Sequence, residues 1–120
     1  TRGKALFVSF SARGALGAIG IGFMPMGVDY EASLPPAGLP WNILREDERA
    51  ALARLPETER DAAFLRLWRA KEAALKAIGQ GFRLPPEAVE IKENGAFVAG
   101  FNKKITYFNA ESAKTTLALA

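Results

Sequence analysis

Phe64-Leu65-Arg66-Leu67-Trp68-Arg69-Ala70-Lys71-Glu72-Ala73-Ala74-Leu75-Lys76-Ala77-Ile78-Gly79 reads as the body of one long amphipathic helix. Phe64, Leu67, Trp68, Ala74, Leu75 and Ile78 fall together as a broad apolar face when the chain is wound at helical spacing. Gly79 stands where a left-handed glycine ends a helix, and Pro56 marks the other end, so the spacing predicts a helix from about Glu57 to Ile78. Everything else in the chain is then read by how it would pack on that helix.

Upstream, Leu6 to Phe10 and Ala15 to Phe23 mix β-branched, aromatic and glycine residues around Ser11-Ala12-Arg13-Gly14, which predicts two strands joined by a short loop. Gly27 to Glu31 continues as a third strand, whose alternation puts Asp29 and Glu31 on one face and Val28 and Tyr30 on the other. Leu34 to Pro40 is a proline-rich connector, and Asn42 is the expected N-cap of a shorter helix over Ile43 to Leu55. Short strands are expected at Val89–Lys92, Ala96–Phe101, Ile105–Asn109 and Thr115–Leu119, with a turn at Glu93-Asn94-Gly95. The fold class is α+β: a small antiparallel sheet packed against a long helix, with residues 1–120 as a single domain.

Composition removes several kinds of chemistry. The 120 residues include no cysteine and no histidine, which excludes thiol nucleophiles, disulfides, imidazole bases and the usual zinc sites. A metal here would be a hard ion held by carboxylates. The net charge of +3 is spread along the chain rather than gathered in a run, and no base-stacking aromatic motif accompanies it, so nucleic acid is not the indicated partner. An acidic protein or a phosphorylated cofactor would use the same charge. The apolar stretch from Ala15 to Val28 is broken by glycines and Pro25, lacks a cleavage site, and is too short to span a bilayer, so no membrane role and a cytoplasmic setting are expected. The chain begins at Thr1 without an initiator methionine, which reads as a trimmed or partial product.

Asp29 and Glu31, side by side at a strand end, would repel unless a cation sat between them. Glu72 is the natural third carboxylate; it shares a helix face with Trp68 and Lys76, although Glu72 and Lys76 are also an ordinary i, i+4 surface pair. The glycines at 14, 17, 20 and 22 lack a following Gly-Lys-Ser/Thr and a βαβ setting, so close strand packing explains them better than a nucleotide loop.

Pro25-x-Gly27-Val28-Asp29-x-Glu31, followed after the intervening stretch by Trp68-x-x-Lys71-Glu72-Ala73-x-x-Lys76-Ala77-x-Gly79-x-Gly81, resembles the paired signature of the 4′-phosphopantetheinyl transferases. The resemblance covers nearly the whole chain: Gly3-Lys4 with Ser9-x-Ser11, Asp47-Glu48-Arg49-Ala50, and Phe82-x-Leu84 with Val89 each resemble family segments. The layout is most similar to the C-terminal half of the Sfp-type enzymes, pseudodimers of two α+β halves, rather than to the small holo-acyl-carrier-protein synthases, which share a comparable length.

What the resemblance implies is transfer of the phosphopantetheine arm of coenzyme A to a serine of an acyl or peptidyl carrier protein, with 3′,5′-ADP released. It further implies Mg²⁺, or Mn²⁺, held by Asp29, Glu31 and Glu72; coenzyme A contacts from Lys4, Ser9, Ser11, Lys71 and Lys76; catalytic parts for Glu72 and Lys76; and Glu48 as general base. On this reading Asp29 and Glu72 line a solvent-facing site edge, and their removal should barely move stability. Phe10 stands where the family has histidine between two serines, so a phosphate contact is lost, unless Phe10 is simply a core residue. That departure keeps a catalytically degenerate, carrier-binding relative open as the alternative. Half of a pseudodimer also exposes the surface its partner half would cover, so a homo-oligomer, or association with a missing N-terminal half, is expected.

Overall fold

A computed structural model of the chain describes residues 5–34, 41–79 and 83–120. Lys4, Gly3, Gly81, Phe82 and the connector 35–40 lie outside the described residues. Among those described, the strands are β1 (Phe7–Arg13), β2 (Leu16–Gly22), β3 (Met26–Tyr30), β4 (Val89–Lys92), β5 (Gly95–Val98), β6 (Thr106–Ala110) and β7 (Thr115–Leu119). The α-helices are α1 (Glu46–Ala53) and α2 (Glu57–Ala77). This is the expected α+β class, with the long helix at its expected place and the antiparallel strands in three groups, β1–β2, β3–β7–β6 and β4–β5.

α2 forms where the 3.6-residue pattern puts it, and Gly79 ends it with φ +71, in the left-handed region open to glycine. Small residues let it lie close to the sheet: Ala73, Ala74 and Ala77 are buried together with Leu75, Val89, Ile105 and Ala118. A second cluster of Leu44, Leu52 and Phe64 seats α1 on α2, with Phe64 meeting Trp68 edge-on at 5.7 Å. Several boundaries differ from the sequence reading: β5 takes in Gly95 and ends at Val98 rather than Phe101, α1 ends at Ala53 rather than Leu55, and two further differences bear on the site. α1 starts at Glu46 rather than Ile43, because residues Trp41–Ile43 form a separate 3-10 turn and Glu48 Oε1 accepts the Arg45 N–H, leaving Asn42 outside the cap.

The other correction is at the first hairpin. Ser11, Ala12 and Arg13 are not loop but the end of β1, which runs in register with β2 from Phe7↔Gly22 to Arg13↔Leu16, and the turn is only Gly14-Ala15 with Gly14 at φ +63. Small polar residues suggest a turn; instead they form the inward face of a strand. The outward face is apolar: Val8 pairs with Ile21 and Phe10 with Ile19, and all four are exposed along with Leu6 and Phe23. Phe10 is 71% exposed, so it is not a core residue.

Candidate functional site

The edge of β3 that does not pair with β7 is closed by two serine hydroxyls. Ser9 Oγ accepts the Val28 N–H at 3.0 Å, and Ser11 Oγ accepts the Tyr30 N–H at 3.1 Å. Ser11 then donates to Asp29 Oδ1 at 3.1 Å. The hairpin thus delivers Ser9, Ser11 and Arg13, every second residue of β1, to the carboxylate end of β3. Arg13 holds Glu31 with both arms of its fork, Nε to Oε1 at 3.1 Å and Nη2 to Oε2 at 2.8 Å. From the other side Lys76 on α2 donates to Val28 O at 2.9 Å and to Asp29 Oδ1 at 3.3 Å.

Asp29, Glu31, Glu72, Lys76, Ser9 and Ser11 are therefore brought to one place. Asp29 is only 1% exposed, so it is sunk rather than solvent-facing as expected, and Glu31 is 3% exposed, whereas Glu72 is half-buried. Asp29 Oδ2 is buried with no hydrogen-bond partner. Burial, then the Asp29 charge and a hydrogen bond between the two carboxyl groups when Glu31 is protonated, push Glu31 up to about 7 despite the Arg13 fork; with Glu31 ionised, Asp29 Oδ2 has no donor. Burial and the Asp29 charge raise Glu72 as well, against the pull of Lys76 and Arg13. A cavity of about 370 Å³ lined by Arg13, Tyr30, Glu31 and Trp68 opens beside this cluster.

Lys71 and Glu48 belong to a different part of the molecule. Lys71 is fully buried and bonds Glu48 Oε1 at 2.8 Å, Pro86 O at 3.1 Å and Val89 O. Desolvation lowers its pKa, opposed chiefly by Glu48. The pair ties α2 to α1 and to the entry of β4. Consecutive helix residues point about 100° apart, so Lys71 turns away when Glu72 faces β3.

Two further residues of the cluster have no assigned part in the sequence reading. Arg13 is legible through strand alternation with Ser9 and Ser11. Arg69, fully buried, donates to the Glu31 carbonyl at 3.0 Å, a contact across 38 residues that no local pattern signals.

The donor chemistry at β3 suits a hard divalent cation. Three carboxylates share one locality, two with raised pKa values, and one buried oxygen is unpartnered. As the side chains stand, no group of three acidic residues among those described is drawn close enough to hold an ion. Arg13 and Lys76 supply the positive charge instead.

The raised carboxylates set a pH dependence for the metal-free protein. Below about pH 4.5 Glu31 is protonated both folded and unfolded; between 4.5 and about 7 the unfolded chain has lost the proton that the folded chain keeps. The stabilisation is therefore present at the acid end and lost as pH rises to about 7. Glu72 acts in the same direction, whereas Glu111, lowered by its hydrogen bond from Asn109 and by Arg69, matters on the acid side. Melting in chelator should show Tm falling by several degrees across this window, and Glu31→Gln should flatten the slope. A Tm that climbs through the window would overturn the account.

The family model of the 4′-phosphopantetheinyl transferase superfamily matches residues 25–119, from the start of β3 to the end of β7. The chain belongs to the 4′-phosphopantetheinyl transferase superfamily. The match contains Asp29, Glu31, Glu48, Lys71, Glu72 and Lys76, and leaves the β1–β2 hairpin outside it. No curated protein matches the chain.

Proposed function

We propose that this chain, as an Sfp-type C-terminal half, transfers the 4′-phosphopantetheine of coenzyme A to a serine of an acyl or peptidyl carrier protein and releases 3′,5′-ADP. Superfamily membership supports phosphopantetheine transfer in general. The observation that carries the finer reading is the unpartnered, buried Asp29 Oδ2 in the company of Glu31 and Glu72, an acceptor whose free lone pairs suit Mg²⁺ or Mn²⁺. Asp29, Glu31 and Glu72 would hold the ion, which when bound supplies charge neutralisation at the pyrophosphate.

In the reaction the serine oxygen forms a bond to the β-phosphorus and the pyrophosphate bridge breaks, with 3′,5′-ADP carrying away the bonding pair. Lys76 is the lysine of the site. Its ammonium bonds Asp29, and the residue also lines a cavity of about 630 Å³ together with Phe7, Met26, Ile78, Phe101 and Lys103. Lys71 would have to leave Glu48 and two carbonyls to reach a phosphate, so we assign it to holding the helices together. Glu48 Oε1 is spent on Lys71 and the Arg45 N–H, and its Oε2 is buried apart from the β3 carboxylates, so we assign Glu48 with Lys71 to holding the helices together and let the serine proton pass to solvent water. Ser9 and Ser11 orient β3 through its N–H groups; Ser11 gives its O–H to Asp29, so of the two it is Ser9 whose O–H would donate to a coenzyme A phosphate. We place the reaction in the cytoplasm; among the described residues no helix is long and apolar enough to cross a membrane.

The test is mass spectrometry of an apo carrier protein incubated with coenzyme A and Mg²⁺. A phosphopantetheine increment supports transfer; an unmodified carrier that nevertheless binds the folded chain overturns it in favour of the degenerate relative.

We expect the exposed face of Val8, Phe10, Ile19 and Ile21 to be covered by the missing N-terminal half or, without it, by a second copy of this chain, since a two-stranded sheet with its serines turned inward leaves its large apolar side chains outward. Sedimentation should give a dimer or larger species that Ile19→Glu with Ile21→Glu converts to monomer. A lone parent chain that sediments as a monomer would overturn that expectation.

A further inference from the structure

Glu31 lies one residue beyond β3, whose ladder ends at Tyr30. Its backbone is held by two bonds: its N–H donates to Lys114 O at 3.1 Å, and its carbonyl accepts from Arg69 Nη1 at 3.0 Å. Arg69 is fully buried, and its other donors reach Thr116 Oγ1, Asn109 Oδ1 and Glu111 Oε2. These acceptors follow the sheet register: Asp29 pairs with Thr116, and Thr116 with Asn109, so the guanidinium reads across β3, β7 and β6 from a single helix position. The acceptors are themselves fixed, because Thr116 Oγ1 donates to Asn109 Oδ1 and Asn109 Nδ2 to Glu111 Oε2.

A buried guanidinium is costly unless every arm is bonded, and a strut between helix and sheet can be built from apolar side chains instead. What an apolar strut cannot do is grip the Glu31 carbonyl. Arg69 and Glu72 are three residues apart on α2 and share a face. One rigid helix therefore carries the Glu72 carboxylate and, through a planar fork, the backbone that carries the Glu31 carboxylate.

We propose that Arg69 is a positioning residue that fixes the spacing of Glu31 and Glu72, and that divalent-cation binding between them depends on this clamp; the proposal rests on the metal reading given above. Arg69 touches neither coenzyme A nor the carrier serine. It acts through Glu31.

The experiment is calorimetric titration of Mn²⁺ into the chain, with melting in chelator measured alongside, for the parent and for Arg69→Lys, Glu111→Gln and Asp29→Asn. Arg69→Lys keeps the charge but loses the fork and should weaken Mn²⁺ binding by about 10–100-fold, the usual effect of disturbing a group that orients a metal ligand. Glu111→Gln, at a side chain 43% exposed, keeps the fold, lets the Arg69 fork relax, and should weaken binding in the same direction by less. A merely structural Arg69 would lower the melting temperature and leave the Mn²⁺ affinity of the folded protein at the parent value, which overturns the proposal. Should Arg69→Lys fail to fold, Glu111→Gln decides by the same criterion. If the parent binds no Mn²⁺, or Asp29→Asn binds it as tightly as the parent, the metal reading itself falls and takes this proposal with it. If Asp29→Asn loses Mn²⁺ while both clamp variants keep it, only the clamp is wrong.

Discussion

Asp29→Asn is expected to lower Mg²⁺-dependent phosphopantetheine transfer by about a hundredfold to a thousandfold or more while leaving the protein folded. A divalent ion at a developing phosphoryl charge contributes several kcal/mol of transition-state stabilisation, and each 1.36 kcal/mol is about tenfold in rate. Asparagine keeps the volume of a side chain that is 1% exposed and keeps an oxygen to accept from Ser11 Oγ and Lys76 Nζ. It removes the negative charge and replaces the free Oδ2 with a donor, which repels a cation. Stability changes little, since the weakened Lys76 pair is offset by relief of the Asp29 repulsion that, after burial, adds to the rise of Glu31. Asp29→Ala is the poorer test: truncation strands Ser11 and Lys76 at a buried position, where an unmet polar group costs about 1–3 kcal/mol, so lost activity would not separate chemistry from folding. Initial rates of carrier modification, read by mass at saturating Mg²⁺, decide. A variant with near-parent turnover would mean that Asp29 holds β3 and the hairpin together and nothing more.

α2 is legible almost to the residue because a long 3.6-period pattern, a proline before it and a glycine after it all agree. The first hairpin misleads for a physical reason. Ser11-Ala12-Arg13 carries small and polar side chains that favour turns, yet here the polar side faces inward to cap β3 and the apolar side faces out, the reverse of the usual strand pattern. At the site, the carboxylates and Lys76 are legible as motif, whereas Arg13 and Arg69 gain their meaning only from partners 18 and 38 residues away. Lys71 stands apart from that cluster. The resemblance implies a coenzyme A contact for it, whereas the helical turn sends neighbouring side chains in different directions and buries Lys71 against Glu48.

The closeness of α2 to β3, on which the Lys76 contacts to Val28 and Asp29 depend, makes Gly27→Ala a severely damaging substitution. A Cβ at Gly27 would stand 2.1 Å from Ala73 O, 2.7 Å from Ala77 N and 2.7 Å from Lys76 Cβ. Two of these are backbone atoms inside a continuous helix and cannot swing aside as a side-chain tip would. The helix would have to lift from the strand, opening the packed layer of Ala73, Ala74 and Ala77 and pulling Lys76 from Val28 O and Asp29. Overpacking of this kind costs about 3 kcal/mol or more when the neighbours are rigid. At roughly 4 °C per kcal/mol for a chain of this size, Tm should fall by more than about 10 °C. Gly14→Ala is the control. Gly14 has φ +63 but nothing within 4 Å of the place an added methyl would take, so only backbone strain of about 1–2 kcal/mol is expected. Denaturant midpoints at unchanged slope give both numbers. Equal midpoints for Gly27→Ala and the parent would mean that α2 does not approach β3 this closely, and the placement of Lys76 beside Asp29 would fail with it.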